Sequence, residues 1–155
     1  MSQSNKSKIN KNQAIAELWS RGELSWKCHT VQKDMRSVFY SADNNSTLVW
    51  LLARQSGKSV ELAILALEQC LRKPNSIVKL LTDTKLHAQS IFDPIFKMLL
   101  EDCPEHLKPS YIESKFTYHF SNGSSIQLAG SDNKHYERLR GQKSDLVLVD
   151  EAALS

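Results

Sequence analysis

Two groups of residues have types and spacing suited to one chemistry, the handling of a nucleoside triphosphate. The first is Ala53-Arg54-Gln55-Ser56-Gly57-Lys58-Ser59, which sits between an apolar run at 47–53 and a second apolar stretch at 60–71. A bound phosphate needs N–H donors and a favourable dipole, and a helix N-terminus supplies both. Gly57 lets the backbone approach closely. Lys58 reaches the β- and γ-phosphates, and the Ser59 hydroxyl can ligate Mg²⁺. Gln55 and Ser56 complete the loop, and Arg54 lies inside it, where its guanidinium stays near the nucleotide. The usual pattern, G-x-x-x-x-G-K-[ST], would put its first Gly at Leu52. The plain alternative is a helix start with a capping Ser; the strand before it and the helix after it favour a phosphate loop.

The second group is Leu146-Val147-Leu148-Val149-Asp150-Glu151. Four apolar residues carry two carboxylates to the C-terminal end of a buried strand, the edge where open α/β sheets bind ligands. Asp150 would hold the Mg²⁺ shell and Glu151 would act as general base on the attacking water. A solvated acidic turn is the plain alternative, and it weakens once the phosphate loop stands upstream. Two further features are thinner. Gln32, at the start of an expected helix, offers the donor and acceptor that an adenine edge needs. Arg140, in Arg138-Leu139-Arg140-Gly141, can stabilise charge on a transferring γ-phosphate, although arginines in polar loops are commonly just solvated.

The elements that must position these residues follow from hydrophobic period and turn signals. Residues 1–12 are polar and read as a flexible arm. Residues 13–28 read as an N-terminal helix and linker, with Ile15, Leu18 and Trp19 on one face and Gly22 as the stop. From residue 29 to 155 the chain reads as one α/β unit. A helix is expected over 31–39 and buried strands over 47–53, 76–82 and 146–149. A helix apolar nearly all round is expected over 60–71. Another starts after Asp83 or Thr84, with Ala88, Ile91, Ile95 and Leu99 on its face and Pro94 kinking or splitting it. Phe116, Tyr118 and Phe120 alternate, and so do Ile126 and Leu128, around Asn122-Gly123. This predicts a hairpin with a two-residue turn. The whole is a mostly parallel sheet. The final strand ends without a covering helix, so the domain is expected to continue beyond Ser155.

Composition bounds the rest. The chain has 155 residues, 41% hydrophobic and 24% charged, with net charge +3. That suits a globular domain and excludes a collagen-like or coiled-coil chain. No window approaches ~18 apolar residues, so no membrane span or membrane partner is expected. The first residues lack the apolar core of a secretory signal. Cys28, Cys70 and Cys103 are too scattered for a disulfide framework or a zinc site.

Together these residues resemble the large terminase subunit of tailed bacteriophages. That family typically carries Arg-Gln-x-Gly-Lys-[Ser/Thr] without the first Gly, which accounts for Leu52. Gln32, the segment Phe120-Ser121-Asn122-Gly123-Ser124-Ser125-Ile126, and Arg140-Gly141 followed by Asp145 and Asp150-Glu151-Ala152 are similar to its other motifs. The resemblance implies an ASCE/RecA-like P-loop NTPase fold with a β-hairpin insertion, of which this chain is the N-terminal part. It implies ATP and Mg²⁺ as cofactors, with Lys58 and Ser59 on phosphate and metal, Asp150 on Mg²⁺ and Glu151 catalytic. It also implies Arg140 acting on a neighbouring subunit. The implied work is packaging of double-stranded viral DNA through a portal, by a ring homo-oligomer, with a small terminase subunit. The implied place is the host cytoplasm, transiently at the procapsid portal. A nuclease domain would lie beyond residue 155. The rival readings are a superfamily 2 helicase or translocase, whose loop usually has Gly at position 55, and a non-catalytic fragment.

Overall fold

Apolar runs with no polar alternation specify strands covered on both faces, and the three such runs pair side by side. The computed structural model describes the backbone of residues 3–27, 50–53, 59–131 and 144–150, and the side chains of 10–27, 59–131 and 144–150. Among these, β1 (Trp50–Ala53), β2 (Ile77–Thr82), β3 (Ser110–Ile112), β4 (Thr117–His119), β5 (Ser125–Gly130) and β6 (Leu146–Asp150) form one sheet, in the order β1-β6-β2-β5-β4-β3. The pairs β1–β6, β6–β2 and β2–β5 are parallel, while β5–β4 and β4–β3 are antiparallel. The mostly parallel sheet with a hairpin is as expected. The short strand β3 is an addition, too brief for its alternation to register.

Among the described residues three α-helices accompany the sheet: α1 (Gln3–Ser20), α2 (Ser59–Arg72) and α3 (Lys85–Leu99). Leu62, Leu65, Phe92, Phe96 and Trp19 share one core with Val78, Leu80, Ile126, Leu128, Leu146 and Leu148. The alternate strand residues, Leu81, Ala129, Val147 and Val149, form a second cluster, because successive side chains leave a strand on opposite faces. No described helix is long and apolar enough to cross a membrane.

Residues 3–12, read in the sequence as a flexible arm, are the opening turns of α1, which starts at Gln3 rather than near residue 13. No Gly or Pro interrupts the chain before Gly22, so the helix held at Trp19 extends upstream. Composition reported solvation, and residues 10–14 are indeed exposed, but it did not report backbone shape. α1 ends where expected. The Glu23 N–H reaches the Leu18 carbonyl at 2.8 Å and the Gly22 N–H reaches the Trp19 carbonyl at 3.0 Å. This paired cap needs a left-handed residue, and Gly22 has φ +67°. The segment then docks on α2. The buried Glu68 carboxylate accepts the Leu24 N–H at 2.9 Å, and Arg72 Nε donates to the Gly22 carbonyl at 2.8 Å. Asp102 accepts from Trp19 Nε1 at 3.2 Å and from Lys27 Nζ at 2.9 Å.

Thr84 caps α3, its Oγ1 accepting the His87 N–H at 3.0 Å. Of the kink or split expected at Pro94, the split does not occur: the helix runs through to Leu99. Burial of Phe92 and Phe96 on either side offsets the hydrogen bond that Pro94 lacks. The inward face is Ala88, Phe92, Phe96 and Leu99, while Ile91 and Ile95 flank it half-buried. Two stripes fit the same i, i+4 spacing, and the larger rings take the centre, with Phe96 4.7 Å from the Tyr118 ring.

The hairpin also departs in detail. The Gly123 N–H donates to the Phe120 carbonyl at 3.1 Å, and the Phe120 N–H donates to Ser124 at 2.9 Å. The loop is therefore three residues, 121–123, not two. A two-residue Asn-Gly turn needs positive φ at both positions. Here Gly123 has φ +88° and Asn122 does not join it, which gives a turn closed by a glycine bulge. The expected helix at 31–39 lies outside the described residues.

A Cβ at Gly123 would collide with the Asn75 side chain in a backbone region costly for any other residue. Gly123→Ala should lower the unfolding free energy by about 1–3 kcal/mol. Urea denaturation would read this as a lower midpoint at unchanged slope; an unmoved midpoint would contradict this account of the turn.

Candidate functional site

The C-terminal edge of the parallel strands is where this sequence concentrates its chemistry. In β1 and β6 the register sets Ala53 beside Asp150, so the two strands end together at one edge of the sheet. Ser59 is the first residue of α2, which packs across the face bearing Leu146 and Leu148. Asp150 lies two residues on from Leu148 and so shares that face. The result is a contact between residues 91 apart in sequence: Ser59 Oγ donates a hydrogen bond to Asp150 Oδ2. Both residues are buried, with Asp150 only 1% exposed.

A hydroxyl and a carboxylate oxygen in contact are hard oxygen donors of the kind Mg²⁺ takes. The start of α2 adds the N–H donors and dipole of a helix N-terminus for phosphate. Ser59 and Asp150, both read in the sequence as metal ligands, are in contact here. Gln32, Arg54, Gln55, Ser56, Gly57, Lys58, Arg140 and Glu151 lie outside the described residues. Lys58 and Glu151 are the covalent neighbours of the two residues that meet.

Three features of the same edge carried no motif. Thr82 ends β2 fully buried and follows Leu81, which pairs with Val149, so it stands level with Asp150. Its hydroxyl donates to the Thr84 carbonyl at 2.7 Å. Asp83 and His87 then form an i, i+4 pair at the head of α3. The His87 hydrogen bond is the main cause holding the Asp83 carboxyl below its ordinary range. A polar residue closing an apolar strand, followed by Asp and His four apart, is the signal that would have found them.

Two segments similar to terminase motifs lie at the other edge. The Asp145 N–H donates to Ile77 O at 2.9 Å, and Asp145 Oδ2 accepts the Ile77 N–H at 2.8 Å. Asn122 and Ser124 lie just before Ser125, which pairs with Ile77 at the start of β2. They do not meet the edge that carries Ser59 and Asp150.

Residues 49–154 match the family model of the terminase large subunit, T4likevirus-type, N-terminal. The chain belongs to this family. Its fold is similar to the large terminase ATPase domain of Thermus phage P74-26, with a TM-score of 0.53 at 22% identity. That similarity covers 88% of this chain and 57% of the Thermus phage domain, so the chain spans little more than half of that domain's length. No curated protein matches the chain. The α/β fold expected of a terminase P-loop NTPase region is therefore the one observed.

The thiols of this terminase-family chain that the structure describes are free and buried. Cys70 Sγ donates to the Ser125 carbonyl at 3.6 Å, and burial pushes its pKa far up. Burial likewise pushes Cys103 up to about 11. A raised thiol pKa means that the fold holds the proton more tightly. This stabilisation is complete below the ordinary value of 9.0 and is lost as pH rises through about 11. At pH 8 neither thiol should react with an aromatic disulfide reagent until denaturant is added. Labelling of Cys70 or Cys103 within minutes in native buffer would contradict it.

Proposed function

We propose that this chain is the ATPase motor region of a phage terminase large subunit, hydrolysing ATP to drive double-stranded viral DNA into the procapsid. The observation that carries this reading is the buried contact of Ser59 with Asp150 at the head of α2, in a chain of the terminase family. The donor chemistry fits Mg²⁺, which when bound with ATP neutralises charge on the β- and γ-phosphate oxygens.

In this reading Ser59 and Asp150 would hold the metal, and their mutual hydrogen bond keeps the two side chains in place beforehand. Gln55, Ser56 and Gly57 present backbone N–H groups to the phosphates, and Lys58 sets its ammonium against the β- and γ-phosphates. Glu151 orients the attacking water and takes its proton. Arg54 contacts the phosphates from within the loop, and Arg140 meets the γ-phosphate, in its own or a neighbouring subunit of a ring. Gln32 pairs with the adenine edge through its amide. The portal, a small terminase subunit and viral DNA are the partners this function requires, in the cytoplasm of the host cell.

Two substitutions test it by separating binding from turnover. Lys58→Ala should abolish ATP binding. Glu151→Gln should keep the nucleotide affinity and slow turnover by ~10²–10⁴-fold, the usual worth of a positioned general base. Equilibrium binding of labelled ATP and single-turnover hydrolysis, measured in the full-length subunit, give the two readouts. Wild-type binding and rate in Lys58→Ala would sink the phosphate-loop reading. Lost binding with an unchanged rate constant in Glu151→Gln would shift the base role away from that residue.

A further inference from the structure

The Asn-Gly-Ser turn of the hairpin is similar to a family motif, yet it lies at the edge of the sheet opposite Ser59 and Asp150. Its hydrogen bonds explain what it does there. Asn122 Oδ1 accepts the Ser124 N–H at 3.0 Å, and Asn122 Nδ2 donates to the Cys70 carbonyl at 2.6 Å. Cys70 stands in the last turn of α2, where helix carbonyls have no partner within the helix. One amide side chain thus closes its own turn and caps the helix that begins at Ser59.

The neighbouring residues fasten the same end. Ser124 Oγ donates to the Lys73 carbonyl at 2.8 Å while accepting the Ser76 N–H at 3.0 Å. Asn75 N–H donates to the Asn122 carbonyl at 3.2 Å. Asn75 and Gly123 press together in left-handed conformations, with φ +60° and +88°. Between this knot and the nucleotide edge runs α2, fourteen residues long, a rod of roughly 20 Å at 1.5 Å per residue. A rod held at its far end cannot slide along its axis, and an axial slide is the displacement that would part Ser59 from Asp150.

We propose that Asn122 is a positioning residue for the nucleotide–metal site, setting the axial place of α2 and so the spacing of Ser59 against Asp150. This rests on the nucleotide reading of that site. The amide is required because both of its ends are used. Aspartate keeps the acceptor for Ser124 and loses the donor to Cys70, and it sets a negative charge against the negative end of the α2 dipole.

The test is the affinity of the full chain for a fluorescent ATP analogue, measured once in Mg²⁺ and once in EDTA, with a thermal melt alongside. Asn122→Asp should weaken binding in Mg²⁺ by roughly 3–10-fold, within the span of one hydrogen bond's net contribution. In EDTA the loss should be smaller, roughly twofold, because only the phosphate N–H groups at the head of α2, and not the metal pair, then register its axial place. Asn122→Ala should follow the same pattern, so the inference stands or falls even if one variant fails to fold. Equal losses in Mg²⁺ and EDTA would mean general loosening, and no loss in either would mean no coupling; each overturns the role of Asn122. A wild-type chain that binds equally in Mg²⁺ and EDTA would overturn the metal-site reading itself, a result read from the unsubstituted control.

Discussion

Parallel alignment of β1, β6 and β2 is the constraint on which the rest of the structure depends. Ser59 and Asp150 are 91 residues apart, and neither segment has local reason to find the other. They meet because Ala53 pairs with Asp150 and Leu81 with Val149, which sets the C-terminal ends of three strands level. Parallel strands need crossovers and cover on both faces. The cover explains why all five residues of β6 are buried and why α2 is apolar nearly all round. A buried Leu or Val contributes about 1.5–3 kcal/mol, so the apolar residues of β6 hold the edge that carries the chemistry far more strongly than the polar contact at that edge does.

The helix α2, between β1 and β2, has to satisfy two ends of different kinds. At its start, Ser59 joins Asp150 and the helix dipole favours anions. At its finish, Cys70 and Lys73 carbonyls accept from Asn122 and Ser124. On its flank Glu68 and Arg72 bind the turn that follows α1. Gly22 is needed there twice over: its φ is +67°, and a Cβ would stand 2.7 Å from Arg72 Cγ. α2 is thus fixed by loops from both sides, each closed by a glycine that no larger residue replaces without strain.

Much of this was legible in the residues. Continuous apolar runs marked β2 and β6, a full-circle apolar pattern marked α2, and alternation around Asn122-Gly123 marked the hairpin. The failures have physical causes. The start of α1 was missed because a polar helix carries no amphipathic period, and helix ends are set by stops rather than by composition. The hairpin loop was read one residue short because its length depends on the φ of Asn122, which no residue type dictates. The face of α3 slipped because isoleucines and phenylalanines share one spacing and only packing chooses between them. At the site, Ser59 and Asp150 were legible from motif and strand context together. Thr82, Asp83 and His87 were not, because the sheet order that sets β2 beside β6 is a long-range fact.

The sheet's two edges divide the labour, and register ties them together. In β6, Leu146, Leu148 and Asp150 face α2, while Val147 and Val149 face the other cluster. A slip of one residue would exchange these sets, turning the Asp150 carboxylate away from Ser59 and into an apolar layer. Hydrophobicity alone resists this weakly, since leucine and valine suit either face. Asp145 removes the ambiguity. Its backbone N–H and its side-chain oxygen both engage Ile77, a two-point contact that only one register satisfies. A carboxylate at the structural edge thereby decides which way the carboxylate at the chemical edge points. Residues that never approach the Ser59–Asp150 edge are therefore as necessary to it as those that form it.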